Sequence, residues 1–166
     1  MDLQMLFKRQ QELDSYIEEK RQVKPEDVFE EKLLAFSVEA GELANEVRSF
    51  KFWSSRGPSD DRVILEEYVD GLHFLLSIGN TLALSPEVDE VDLAQEKADK
   101  KEQTAAFLEL FAAVSLLRIE PSAETYGALF SAYLNLAGQL GYSWEDVTLA
   151  YHAKNEENYS RQENGY

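Results

Sequence analysis

Two acid-x-x-acid steps, Glu39 with Glu42 and Glu67 with Asp70, are the residues in this chain best suited to chemistry. Residues three apart on a helix sit side by side on one face. If the two segments are helices packed antiparallel through the loop between them, four carboxylates converge on one point. Such an all-oxygen set suits a hard cation such as Mg²⁺, which works with phosphate-bearing substrates. The spacing alone is weak evidence. With 32 acidic residues in 166, roughly six such steps arise by chance, and most acid pairs are solvated helix faces.

Helical phase sharpens the signal. At about 100° per residue, Leu33, Phe36, Ala40, Leu43, Ala44 and Val47 form one apolar stripe, and Glu39, Glu42 and Glu46 run along its flank. In the second segment Ile64, Leu65, Tyr68, Val69, Leu72, Leu75 and Leu76 form a wide apolar arc, with Glu67, Asp70 and Phe74 on the other side. Acids among such neighbours are partly enclosed, and an enclosed charge needs a partner.

Four further groups stand near this pair in character. Lys154, Asn158 and Arg161 are spaced i, i+4, i+7, which places a cation–amide–cation stripe on one helix face. It suits phosphate oxygens, or equally salt bridges to neighbours such as Glu157. Leu3, Leu6, Phe7, Gln10, Leu13, Asp14 and Ile17 fall at helical spacing, and Gln11 and Asp14 stand three apart beside that stripe. They are surface residues or a donor–acceptor pair able to read a ring edge. Trp53 is a core residue or a platform for a base; His73, one turn after Asp70, reads as a packed or hydrogen-bonded histidine.

Helices must position all of these. The pattern predicts helices over residues 2–20, about 26–49 with Pro25 at its start, 61–84, 104–119, 123–140 ending at Gly141, and a last one from a Ser143–Asp146 capping box to about Gln162. Gly57-Pro58 marks the turn between the two acidic segments, with Ser59 or Asp60 as cap. Residues 87–103 read as a helix start or an exposed connection. The segment 104–119 is apolar on most sides and should be buried on more than one, for which a dimer interface is the economical explanation. There is no strand-like alternation, repeat, GxxxxGK or HExxH. The expected fold is all-α, a compact bundle of five to six helices in a single domain over residues 1–166.

A formal charge of −16 makes nucleic acid and anionic membranes poor partners. No cysteine, no signal-peptide pattern and no run of about 20 apolar residues fit a cytoplasmic protein.

In order along the chain, these motifs resemble the dimeric, all-α dUTPase family, part of the wider all-α nucleoside triphosphate pyrophosphatase group that includes MazG-like proteins. The group's E-x-x-E … E-x-x-D signature is matched by Glu39-x-x-Glu42 and Glu67-x-x-Asp70. The dUTPase branch adds the element from Gln11 to Asp14, Phe50-Lys51-Phe52-Trp53, Asp70-Gly71-Leu72-His73-Phe74, and the tail from Lys154 through Asn158 and Arg161 to Tyr166. The resemblance spans nearly the whole chain. It implies Mg²⁺ held by Glu39, Glu42, Glu67 and Asp70, with Glu39 also orienting the attacking water. It further implies phosphate binding by Lys154, Asn158, Arg161 and Tyr166, a uracil pocket of Gln11, Asp14 and Trp53, and His73 with Phe74 against the deoxyribose. The implied reaction is hydrolysis of dUTP, and in some relatives dUDP, to dUMP by a homodimer. Some larger relatives continue beyond the counterpart of Tyr166, so contacts they take from there would be missing or replaced. The competing expectations are a pyrophosphatase of other nucleotides such as dCTP, and a non-catalytic helical interaction module.

Overall fold

In the computed structural model, which describes residues 3–85, 93 and 96–164, the sequence periods become six α-helices. These are α1 (Leu3–Arg21), α2 (Phe29–Val47), α3 (Asp61–Thr81), α4 (Lys100–Ile119), α5 (Ala123–Leu140) and α6 (Trp144–Glu163). A short 3₁₀ turn, Pro25–Val28, leads into α2 with Pro25 at its first position, so the helix expected from about residue 26 begins as 3₁₀. No strand occurs among the described residues, and none of their helices is long and apolar enough to cross a membrane.

Because α3 carries apolar residues nearly all round, it occupies the centre. Tyr68, Leu72, Leu75, Leu76 and Ile78 are fully buried. Its antiparallel partner α2 stops at Arg48, which takes the left-handed conformation (φ 60°) and returns its N–H to the Ala44 carbonyl. The connecting loop is tied back on both sides. Arg48 Nη2 donates to Ser54 Oγ at 2.8 Å, Lys51 Nζ to the Asn45 carbonyl at 3.1 Å, and Ser59 N–H to the Glu46 carbonyl at 3.0 Å. Asp60 occupies the N-cap of α3 but its side chain makes no capping bond.

Helix α5 packs its tyrosines onto α3. Tyr133 and Tyr68 stack at 4.5 Å and exchange bonds, Tyr133 Oη donating to the Tyr68 carbonyl at 2.7 Å and Tyr68 Oη to the Tyr133 carbonyl at 3.0 Å. Tyr126 Oη donates to the Leu75 carbonyl at 3.0 Å. Both hydroxyls need a glycine to reach the backbone, since a Cβ at Gly71 would overlap Tyr133 and one at Gly79 would overlap Tyr126. Gly141 (φ 92°) ends α5, and capping boxes at Ser122–Thr125 and Ser143–Asp146 start α5 and α6.

The single chain leaves one face of the fourth helix uncovered. Helix α4 starts at Lys100, earlier than its apolar run, under a capping box made by Asp99 and Glu102. It buries one face, through Phe107, Leu110 and Leu117, whereas Leu108, Leu116 and Ile119 are 67%, 59% and 79% exposed. It is therefore not covered on more than one side. The apolar surplus that suggested burial lies open. Residues 86–92 and 94–95, within the stretch expected to connect to this helix, lie outside the described residues.

Candidate active site

The α2–α3 hairpin brings Glu39 opposite Glu67 and Asp70, with one oxygen of each within 4.8 Å of the others. Three half-buried carboxylates this close repel. Burial, and then the charges of Asp70, Glu42 and Glu67, push Glu39 up to about 7. Burial and the neighbouring acids also raise Glu67, and burial raises Asp70 despite the ammonium beside it. Glu42, one turn on from Glu39, is exposed and outside the trio, though its charge is felt by both Glu39 and Glu67.

The balancing cation comes from α6. Lys154 is buried, with Nζ 2.8 Å from Asp70 Oδ2 and 3.2 Å from Glu66 Oε1. Burial works against its charge, but the bonds to Asp70 and Glu66 outweigh it and hold the ammonium above its ordinary range. One monovalent cation facing three clustered carboxylates leaves negative charge over. That donor set, hard oxygens with residual charge, fits a divalent ion.

Beside the trio opens a cavity of about 490 Å³, which Glu39 and Asp70 line together with α1, α3 and α6. Asn158 and Arg161 line it too; Arg161 Nη2 lies 2.5 Å from Glu157 Oε1. Their i, i+4, i+7 register with Lys154 is thus realised on one side of the site. Tyr166, expected with them, lies outside the described residues.

Deeper in, a buried network fixes the polar wall. Gln10 Nε2 donates to Asp14 Oδ1 at 2.8 Å, which orients the amide so that its Oε1 accepts from Tyr151 Oη at 3.0 Å and from His73 Nδ1 at 2.7 Å. His73 stacks on Tyr151 at 4.2 Å, and burial lowers it to about 3, so the ring is neutral. With its proton on Nδ1, the other nitrogen Nε2 is an acceptor, and that atom is buried without a partner among the described residues. Asp14 Oδ2 is buried and unpartnered as well. Burial raises the Asp14 carboxyl, offset in part by the Lys32 charge, the Gln10 bond and the nearby Ser77 hydroxyl. Phe74, half-buried, forms part of the same wall.

At the far end stands Lys32 of α2, its side chain 12% exposed. Its Nζ donates to Glu18 Oε1 and to Thr81 Oγ1, both at 2.9 Å.

Two residues expected at the pocket lie elsewhere. Gln11 is exposed and donates to Ser15 Oγ at 3.3 Å; Gln10, the next residue, points inward instead. The helical stripe had already placed Gln10 on the buried face. Trp53 is 65% exposed outside the cavity, packed edge-on against Phe50 and Phe52 in the loop. The pocket residues missed in the sequence are Gln10, Lys32 and Ser77, supported behind by Tyr151. Ser77 and Lys32 each fall two turns from an acidic ligand candidate, and that spacing could have found them.

No curated protein matches the chain. A family model described as dUTPase matches residues 2–166. With a carboxylate trio on an α2–α3 hairpin, a basic stripe on α6 and a pocket with a polar floor between them, this chain belongs to the dimeric, all-α dUTPase family of nucleoside triphosphate pyrophosphohydrolases.

Proposed function

We propose that this protein is a Mg²⁺-dependent dUTP diphosphatase that converts dUTP to dUMP and pyrophosphate. The observation that carries the reading is one continuous site. The trio of Glu39, Glu67 and Asp70 opens onto a cavity whose inner wall ends in the unpartnered Asp14 Oδ2. A metal-dependent triphosphate end thus adjoins a slot with a hydrogen-bond acceptor for a base.

Glu39, Glu67 and Asp70 would hold the metal, with Glu42 at the margin; bound there, Mg²⁺ supplies neutralisation of the phosphate oxygens and activation of water. The rest falls to the protein. Lys154, Asn158 and Arg161 bind phosphate oxygens, with Arg161 as the forked contact. Water attacks the β-phosphorus. Its oxygen bonds to that phosphorus, its proton passes to a Glu39 carboxylate oxygen, and the bond from the β-phosphorus to the oxygen it shares with the α-phosphate breaks. The electron pair stays with dUMP. The half-buried Glu39 carboxylate, held among the other acids of the trio, is placed to take that proton. Asp14 Oδ2 accepts the uracil N3–H, and His73 with Phe74 packs against the deoxyribose.

The exposed face of α4 supports a homodimer. Leu108 shares a shallow groove with Phe50 and Phe52, and Phe52 is 92% exposed. Exposed apolar residues grouped in this way mark an interface. Charged substitution at Leu116 or Ile119 should convert a sedimenting dimer to monomer; wild type sedimenting as a monomer refutes the assembly.

The test of the activity is pyrophosphate release from dUTP, dCTP, dTTP and UTP with and without Mg²⁺. Turnover of dUTP that needs Mg²⁺ supports the proposal. No turnover of dUTP in its presence removes it.

A further inference from the structure

Lys32 is spaced along the site like a ruler. It lies seven residues before Glu39 on α2, and Ser77 lies seven after Asp70 on the antiparallel α3. Seven residues are two turns, about 10 Å. That is on the order of the distance from a nucleotide's phosphates to the ring edge farthest from the sugar. In a pyrimidine that edge carries the substituent at C4, directly across the ring from the glycosidic nitrogen.

An ammonium has three N–H donors and no acceptor. Lys32 commits one to Glu18 and one to Thr81, and Thr81 is itself fixed by donating to the Ser77 carbonyl at 3.0 Å. The third has no partner among the described residues, and the side chain lines the cavity. Nearby, Asp14 Oδ2 is an acceptor without a partner.

We propose that Lys32 is the residue that selects uracil over cytosine, its free N–H donating to the ring's 4-carbonyl while Asp14 accepts from N3–H. This rests on the nucleotide-hydrolase reading above and names the part of the substrate that the deep end recognises. Uracil satisfies both groups. Cytosine satisfies neither, because it turns an amine toward an ammonium that cannot accept and a ring lone pair toward a carboxylate that cannot donate. Discrimination built from groups left unpaired is stronger than discrimination by shape. The same edge occurs on thymine, so this pair does not distinguish the two.

The experiment compares Lys32→Met, which keeps the stem but removes the donor, with the double variant Glu18→Gln/Lys32→Met, which avoids stranding the Glu18 charge. For each, kcat/KM is measured on dUTP and dCTP, and binding of dUMP and dCMP by calorimetry. Loss of the contact should lower kcat/KM for dUTP by about 10- to 100-fold, with dCTP changed by less than about threefold, and the dUMP-over-dCMP preference should shrink in step. A purely structural lysine would lower both substrates alike; an unchanged dUTP:dCTP ratio in the folded double variant overturns the proposal. Wild-type protein that turns over dCTP as well as dUTP overturns it too, while leaving nucleotide hydrolysis standing. If wild type hydrolyses neither, the hydrolase reading fails, and a dUMP preference that still vanishes with Lys32 upholds the recognition by itself.

Discussion

Lys154 Nζ lies 2.8 Å from Asp70 Oδ2, so the basic stripe of α6 and the acidic trio of the α2–α3 hairpin are already joined in the protein alone. The ammonium offsets part of the carboxylate repulsion, and in the proposed function it stands where phosphate oxygens arrive. Replacing it leaves Asp70 charged and half-buried. Lys154→Met should destabilise the metal-free protein by about 2–3 kcal/mol, below the full cost of breaking a wholly buried pair because Asp70 keeps some solvent. Mg²⁺ should restore a larger share of the melting temperature than it adds to wild type. Unfolding followed with and without Mg²⁺ checks both; no loss of stability in EDTA would mean the pair is electrostatically idle.

Glu39 sits in that trio as its most strongly raised member. Glu39→Gln removes one repelling charge while keeping shape and one oxygen. In EDTA the variant should melt at a higher temperature than wild type. On dUTP its kcat should fall by about 10²–10⁴, the usual cost of losing a general base. Binding of a non-hydrolysable dUTP analogue should survive. Turnover within a few fold of wild type would take Glu39 out of the proton transfer.

Stability of the metal-free protein should depend on pH with a definite sign. Glu39 is raised from 4.5 to about 7, so the folded state holds its proton more tightly than the unfolded chain. The stability this contributes is complete below about pH 4.5 and is lost as pH rises through 7. His73 works the other way. Lowered from 6.5 to about 3, it contributes stability above 6.5 that is lost as pH falls. At pH 6.5 an unfolded histidine is still half protonated, and His152 is lowered as well, so the histidine effects finish only about one pH unit higher. Above about pH 7 the carboxylate effect is the larger, so the melting temperature in EDTA should drop from about pH 7 to 8, and saturating Mg²⁺ should flatten the slope. A melting temperature that climbs over that interval would contradict the trio's geometry.

Gly71 lies directly after a ligand candidate, yet its role is mechanical. A methyl group there would collide with the Tyr133 hydroxyl. Gly71→Ala should destabilise by about 1–3 kcal/mol through overpacking, and much less in a Tyr133→Phe background, where the colliding oxygen is gone. Denaturant midpoints of the two single variants and the double supply the coupling. Additive effects would show that the tyrosine is not what excludes the side chain.

The helices, their caps and the inward faces were legible because each rests on local rules: period, Pro at a first turn, Gly141 at a C-terminus, Ser143 with Asp146. The trio was legible because both acidic steps fall at one phase of two adjacent helices. Contacts set by tertiary placement were less so. Glu42 has the same spacing credentials as Glu39, but rotation of α2 turns it to solvent. Gln11 and Gln10 are chemically identical, and the stripe containing Leu6, Leu13 and Asp14 favours Gln10. Trp53 carries a base-stacking side chain, but the loop's ties at Arg48, Lys51 and Ser59 hold it outward. Lys32 is enclosed by Glu18 and Thr81, which come from two other helices, a contact that no single-helix pattern contains.

The tyrosine hydroxyls on α5 grip α3 at two levels, Tyr133 at the Tyr68 carbonyl and Tyr126 at the Leu75 carbonyl, each seated in a glycine notch. A helix held at two points along its length can neither slide nor roll. The acidic hairpin is therefore seated on a helix whose register is locked. Helices α1 and α6 close the other side of the cavity, joined to each other by Lys20 at the Gln162 carbonyl and by the Tyr16–Tyr159 rings, and to α3 by the Gln10–His73 and Lys154–Asp70 bonds. On the proposed function, any opening for product must break some of these ties. Loosening the Tyr16–Tyr159 contact should then quicken product departure, which a stopped-flow release measurement checks.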